Sequence, residues 1–77
     1  MSNRERITNI VKKFAQSGGS PDPEESLFAS GYLDSFALPD LVGALESEFE
    51  IKIPDSDLNP RKFDSIARME SYIESRL

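Results

Sequence analysis

The 77-residue chain contains no cysteine and no histidine. The absence of cysteine excludes disulfides and thiolate metal sites. The absence of histidine removes the usual general base at neutral pH and the commonest zinc ligand. A Ser-His-Asp hydrolase therefore cannot be assembled from this chain alone. No apolar run approaches the length of a membrane span, and Met1-Ser2-Asn3-Arg4-Glu5-Arg6 lacks the apolar stretch of a signal peptide. These absences lead to the expectation of a soluble, cytoplasmic, monomeric protein. Its size allows one small domain, spanning residues 1–77, near the lower limit at which a core holds a fold without staples.

Positive charge is missing from the middle of the chain. Between Phe14 and Ile51 there is no Lys or Arg, whereas Asp22, Glu24, Glu25, Asp34, Asp40, Glu46, Glu48 and Glu50 all fall there. The flanks hold the other six acids and all nine bases, and the whole chain carries a net charge of −5. A single-sign block of this kind repels nucleic acid and attracts basic protein surfaces. A solvated acidic surface kept for solubility is the alternative that charge alone leaves open.

The hydrophobic pattern is helical. Ser2 and Glu5 fit a capping box, and Ile7, Ile10, Val11 and Phe14 follow at the spacing of one helix face. Lys12 and Lys13 suit the C-terminal end of the helix dipole, and Gly18-Gly19 supplies a stop. A loop of about sixteen residues follows to Tyr32, long for so small a domain. Asp22-Pro23-Glu24-Glu25 reads as a capped turn, and Leu27, Phe28 and Leu33 as plugs into the core. A second helix is expected from about Ser35 to Phe49, with Leu38, Leu41, Val42, Leu45 and Phe49 buried. Pro39 is tolerated there because the cap at Asp34 or Ser35 puts it in the first turns. Gly43, mid-helix, costs up to about 1 kcal/mol relative to alanine and suggests a close packing contact. Ile51-Lys52-Ile53-Pro54 reads as an extended connector, Asp55 to Lys62 as a short helical turn, and Asp64 as the cap of a last helix with Ile66, Met69, Ile73 and Leu77 inward. The expected fold is all-α: a small antiparallel four-helix bundle, three main helices and one short, with a long loop between the first two.

Two constellations carry little chemistry. Asp55-Ser56-Asp57-Leu58-Asn59 opens like a calcium loop, but Pro60 stands where a glycine is needed and Ile66 where a bidentate glutamate is needed. Phe63-Asp64-Ser65-Ile66 echoes Leu33-Asp34-Ser35-Phe36, yet it follows a short charged segment and its helix carries Arg68 rather than an acidic patch. No carboxylate falls within the apolar stripes, so nothing points to the raised pKa of a catalytic acid, and the chain is expected not to be an enzyme and to hold no metal.

Gly31-Tyr32-Leu33-Asp34-Ser35-Phe36 is different. It ends a Gly/Pro/Ser-containing loop where an acidic amphipathic helix begins, so Ser35 stands at the positive end of a helix dipole, which favours an attached phosphate. Asp and Ser are also preferred at ordinary helix caps, and that alternative stands on the dipeptide alone. The order of elements, with Leu27 to Leu33 approaching the serine, Phe49-Glu50-Ile51-Lys52-Ile53-Pro54 after the second helix and Phe-Asp-Ser-Ile opening the last, resembles the acyl carrier protein family over nearly the whole chain. The resemblance implies 4′-phosphopantetheine carried on Ser35, loaded from coenzyme A by a phosphopantetheinyl transferase, with its thiol holding an acyl or aminoacyl group for fatty-acid, polyketide or other specialised synthesis. It further implies that Asp34 helps present the serine and its metal ion to the transferase. Phe36, Asp40, Glu46 and Glu48 match positions that meet basic patches on acyl-loading and acyl-processing enzymes. Ala37 and Ser47 replace acids common in fatty-acid carriers, and the Gly-Tyr-Leu-Asp-Ser form resembles aminoacyl carriers, so a dedicated role is expected. A non-covalent acidic adaptor that binds a basic partner through the second helix is the competing expectation.

Overall fold

The computed structural model describes residues 2–15, 19 and 21–77. Three α-helices are present among them: α1 (Asn3–Phe14), α2 (Leu38–Phe49) and α3 (Ile66–Arg76), with 3-10 turns at Ser35–Ala37 and Asp55–Asp57. The short fourth helix is thus a single 3-10 turn. No strand occurs among the described residues, and Ile51 to Pro54 run as an irregular connector that buries Ile53.

Each helix end has a local cause. Ser2 caps α1 by accepting the Glu5 N–H at 3.1 Å. The helix ends earlier than the Gly18-Gly19 stop: Ala15 is already extended, at φ −69° and ψ 142°, with its N–H turned back to the Lys12 carbonyl. Gly18 lies outside the described residues, and Gly19, at φ +91°, belongs to the loop. α2 ends at Glu50 in the left-handed region, with the Glu50 and Ile51 N–H groups both donating to the Glu46 carbonyl. α3 is capped by Ser65, whose Oγ accepts the Arg68 N–H at 3.1 Å, and not by Asp64. The Asp64 carboxylate is already committed elsewhere, to a long-range contact that sequence spacing cannot reveal.

α1 is the common partner of the other two helices. Its first turn meets the last turn of α2, where Arg6 pairs with Glu48 at 2.8 Å, and the later half of α3, where Asn3 reaches Glu74 at 3.4 Å and Arg4 pairs with Glu70 at 2.7 Å. α1 therefore runs antiparallel to α2 and to α3. These exposed pairs set orientation more than stability, at about 0–1 kcal/mol each. The core stabilises the fold far more. Sixteen buried apolar residues, drawn from all three helices, the long loop and the connector, form one cluster. Complete burial contributes about 1.5–3 kcal/mol per large side chain, before chain entropy opposes it. The expected stripes of α1, α2 and α3 are in this cluster, Phe14 packs at its edge, and Leu77 stands 65% exposed outside it.

Candidate functional site

The approach to Ser35 is held from both sides. In the loop, Asp22 caps its turn by taking the Glu24 N–H at 2.9 Å. Leu27, Tyr32 and Leu33 are buried, and Phe28 packs against them at the edge of the core. The loop is also sewn to α3. Ser26 Oγ lies 2.8 Å from both Asp64 carboxylate oxygens, the Leu27 N–H donates to the Asp64 carbonyl at 2.6 Å, and the Ala67 N–H donates to the Pro23 carbonyl at 3.0 Å. The last of these satisfies one of the amide groups that a helix start leaves without an intrahelical partner. Gly31 turns the chain at φ +83°, a conformation that disfavours a side chain. The Leu33 N–H then closes on the Leu27 carbonyl.

Between buried Leu33 and buried Leu38 the chain bulges outward, which leaves Asp34, Ser35 and Phe36 exposed. Asp34 caps the turn: its Oδ1 accepts the Phe36 N–H at 3.0 Å and its carbonyl accepts the Ala37 N–H at 2.9 Å. Pro39 explains why the helix opens as a 3-10 turn. It has no N–H to give the Ser35 carbonyl four residues back, and the Leu38 N–H takes that carbonyl instead. Turn and helix are continuous from Ser35 to Phe49, so Ser35 stands at the positive end of a fifteen-residue helical dipole.

The Ser35 hydroxyl makes no hydrogen bond to any described residue, and no base among them lies against it to activate it as a nucleophile. Two open concavities among the described residues also leave it out. One is a polar groove beside Asp64 whose walls include Ser26, Lys62, Arg68 and Tyr72, and another lies along Gly43, Glu46 and Lys52. Ser35 is thus an exposed hydroxyl that lines neither of them. The echoing serine differs in kind: Ser65 is 5% exposed and bound into the start of α3.

The four positions expected to face partners differ in their surroundings. Phe36 is 87% exposed, and Asp40 is exposed in the first turn of α2. Glu46 is turned inward, with Oε2 accepting the Ile53 N–H at 2.8 Å. Glu48 is shared with α1, since Arg6 donates both to its carboxylate and to its carbonyl while stacking 4.3 Å from the Phe49 ring centre. Sequence reasoning could not see these two engagements, because each partner comes from a different element.

Another cluster has no local signature in the sequence. Asp57 receives Lys62 Nζ and Arg76 Nη2, both at 2.7 Å, together with the Tyr72 hydroxyl. The Lys62 bond, then that of Tyr72, outweighs partial desolvation and holds the Asp57 carboxyl at about 2, well below its ordinary 3.8. Burial, and the hydrogen bond to Asp57, push the Tyr72 phenol upward. The cluster clamps the 3-10 turn at Asp55–Asp57 onto α3 and makes no use of calcium-loop geometry.

Comparison with known proteins agrees with this architecture. The family profile described as "phosphopantetheine attachment site" matches residues 5–73. The D-alanyl carrier protein of Streptococcus suis is 31% identical over 73 residues, covering 95% of this chain and 92% of the relative. Those of Streptococcus pyogenes and Lactobacillus acidophilus are 28% and 24% identical over 74 and 75 residues, again with more than nine-tenths of both chains covered. No solved structure matches at comparable significance. The chain belongs to the phosphopantetheine-attachment family of acyl carrier proteins. Within it, the similarity to D-alanyl carriers marks a specialised carrier, whose prosthetic group is covalently bound phosphopantetheine.

Proposed function

We propose that Ser35 carries the 4′-phosphopantetheine arm and that the chain shuttles a small aminoacyl thioester between partner enzymes. The observation that carries this reading is the exposed Ser35 hydroxyl at the start of a fifteen-residue helical stretch. Loading forms a bond between Ser35 Oγ and the β-phosphorus of coenzyme A. It breaks the pyrophosphate linkage, releases adenosine 3′,5′-bisphosphate and passes the hydroxyl proton to a base of the transferase. With no base among the described residues against Ser35, the chain depends on that enzyme.

The chain's residues fit the attached group. The helix dipole favours a phosphodiester at Ser35 by about 0.3–1 kcal/mol. The Asp34 cap fixes the backbone on which the serine is presented, and the resemblance to the family assigns Asp34 a part in presenting the serine and its metal ion to the transferase. Once bound, the arm supplies a terminal thiol on which an acyl or aminoacyl group is held as a thioester. Phe36 and Asp40 form the front of the partner surface, Glu48 contributes from its shared pair with Arg6, and Glu46 shapes the helix end through Ile53. Basic patches on the transferase and on loading and processing enzymes would meet this surface in brief, salt-sensitive encounters. The D-alanyl cargo named for the relatives, and the Gly-Tyr-Leu-Asp-Ser approach, support an aminoacyl load over a long fatty acyl one.

Incubation with coenzyme A and a broad-specificity transferase, followed by intact mass, tests the attachment. One phosphopantetheinyl addition is expected, abolished by Ser35→Ala and retained by Ser65→Ala. An addition that survives Ser35→Ala would falsify the assignment. Offering the loaded protein to D-alanine-activating and fatty-acid-activating ligases tests the cargo, and exclusive acceptance of the fatty acyl group would overturn the aminoacyl reading.

A further inference from the structure

The polar groove beside Asp64 has a volume of about 650 Å³, within the range of small-molecule sites. Glu24 and Ser26 of the loop form one wall, and Lys62, Asp64 and the first turns of α3 form the other, with Arg68 and Ser71. Several of its polar groups are engaged within the fold. Ser26 binds Asp64, Ser65 Oγ accepts the Arg68 N–H, and Lys62 pairs with Asp57. Three others have capacity left. The Glu24 carboxylate and the Ser71 hydroxyl make no hydrogen bond to any described residue. The Arg68 guanidinium uses only one of its five N–H donors, in a long bond of 3.3 Å to the Arg61 carbonyl. An unengaged acid therefore lies on one wall, and an underused cation and a hydroxyl lie on the other. This pattern suits an elongated ligand that is cationic at its tip and carries carbonyl acceptors along its length.

We propose that this groove is a docking site for the aminoacyl end of the chain's own loaded arm, with Glu24 taking the ammonium and Arg68 and Ser71 the amide carbonyls. This rests on the reading that Ser35 carries the arm and that the load is aminoacyl. Reach supports it. The Leu27 carbonyl accepts the N–H of Leu33, two residues before Ser35, and the Leu27 N–H donates to the Asp64 carbonyl in the groove wall. Backbone partners stand about 5–6 Å apart at Cα and two extended residues add about 7 Å, so Ser35 lies within roughly 19 Å of Asp64. The loaded arm runs about seventeen bonds from Ser35 Oγ to the ammonium nitrogen, roughly 19 Å when extended. Charge supports the direction of docking. The α-amino group of the cargo is mainly protonated at neutral pH, and Glu24 offers it a carboxylate with no competing partner. Asp64 adds further acceptor sites, because the single Ser26 proton leaves most of its lone pairs open. The positive charge of Lys62 is already matched by Asp57. An alkyl cargo of the same size would strip water from Glu24 and pair with nothing in return. The groove therefore retains an aminoacyl load in preference to a plain acyl one.

The test loads the full chain, with a broad-specificity transferase, from coenzyme A analogues whose terminal amine holds D-alanine or propionate as a stable amide. Propionyl has the shape of alanyl without the ammonium. Intact mass verifies loading, and amide NMR spectra of the isotope-labelled protein compare the apo, alanyl and propionyl forms of wild type, Glu24→Gln and the control Glu25→Gln. The backbone amides of Ser26, Arg68 and Ser71 should shift from their apo positions about threefold more in the alanyl form than in the propionyl form, the factor of an exposed ion pair. Glu24→Gln should bring the alanyl shift down to the propionyl level, and Glu25→Gln, outside the groove lining, should leave it unchanged. Equal shifts in both forms, or an alanyl shift that survives Glu24→Gln, would overturn the site. Equal losses in the two variants would overturn it as well, by assigning the effect to the general acidity of the loop. Groove amides that stay at their apo positions in both loaded forms would refute docking while the mass gain leaves the Ser35 assignment intact. Absence of any mass gain would instead remove that assignment, and the site with it. The analogues bypass the ligases, so a failure of the aminoacyl reading itself shows separately, in the ligase assay.

Discussion

Replacing Ser26 with alanine removes the side-chain tie between the loop that presents Ser35 and the start of α3. Ser26 Oγ lies 2.8 Å from both Asp64 oxygens, but a hydroxyl has one proton, so the two distances describe a single shared, charge-assisted hydrogen bond. Such bonds contribute about 1.5–3 kcal/mol when well shielded. Both residues are only half-buried, and water replaces part of the loss, which brings the expected cost to about 1–2 kcal/mol. For a domain of this size that corresponds to a fall in Tm of roughly 5–15 °C. Urea unfolding of wild type, Ser26→Ala, Asp64→Ala and the double variant, at constant m, isolates the pair. The expected coupling is about 1 kcal/mol. The backbone bond from Leu27 to the Asp64 carbonyl survives every variant, so the cycle reports the side chains alone. Additive costs, with coupling below about 0.3 kcal/mol, would refute the reasoning and leave buried Leu27 and the backbone as the loop's anchors.

Two further outcomes follow from local physics. The Asp57 carboxyl has a folded value of about 2 against an ordinary 3.8, so it binds protons less readily in the folded state. Its contribution to stability is complete above the unfolded value and is lost as pH falls from about 4 towards 2. Asp57→Asn should be less stable than wild type at neutral pH, with the gap closing over that acid window, and a gap independent of pH between 2 and 5 would contradict the clamp. Glu50 ends α2 at φ 53°, where a side chain is unfavourable by roughly 1 kcal/mol. Glu50→Gly should therefore stabilise the protein by up to about 1 kcal/mol in urea titration, and a destabilised variant would show that the Glu50 side chain contributes more than its backbone costs.

What the sequence makes legible here is what depends on neighbours three or four residues away. The stripes Ile7-Ile10-Val11, Leu38-Leu41-Val42-Leu45-Phe49 and Ile66-Met69-Ile73 are buried as their spacing requires, and the Ser2 cap and the Asp22 turn are equally local. Leu77 breaks the pattern because α3 ends at Arg76, so helical spacing no longer sets the direction of its side chain. The misplaced features have distant partners. Asp64 has the chemistry of a helix cap, but Ser26, thirty-eight positions earlier, claims its carboxylate, and the cap passes to Ser65. Two more bonds go unseen for the same reason, since Ile53 and Arg6 engage Glu46 and Glu48 from other elements. Ser35 was legible for the opposite reason. Anchored residues on both sides, Leu33 and Leu38, force the three between Leu33 and Ala37 outward, and nothing distant returns to cover the serine among the described residues. Exposure at this position is built by its neighbours, so a reading of the local sequence finds the exposed serine while missing which of the acids around it are bonded to other elements.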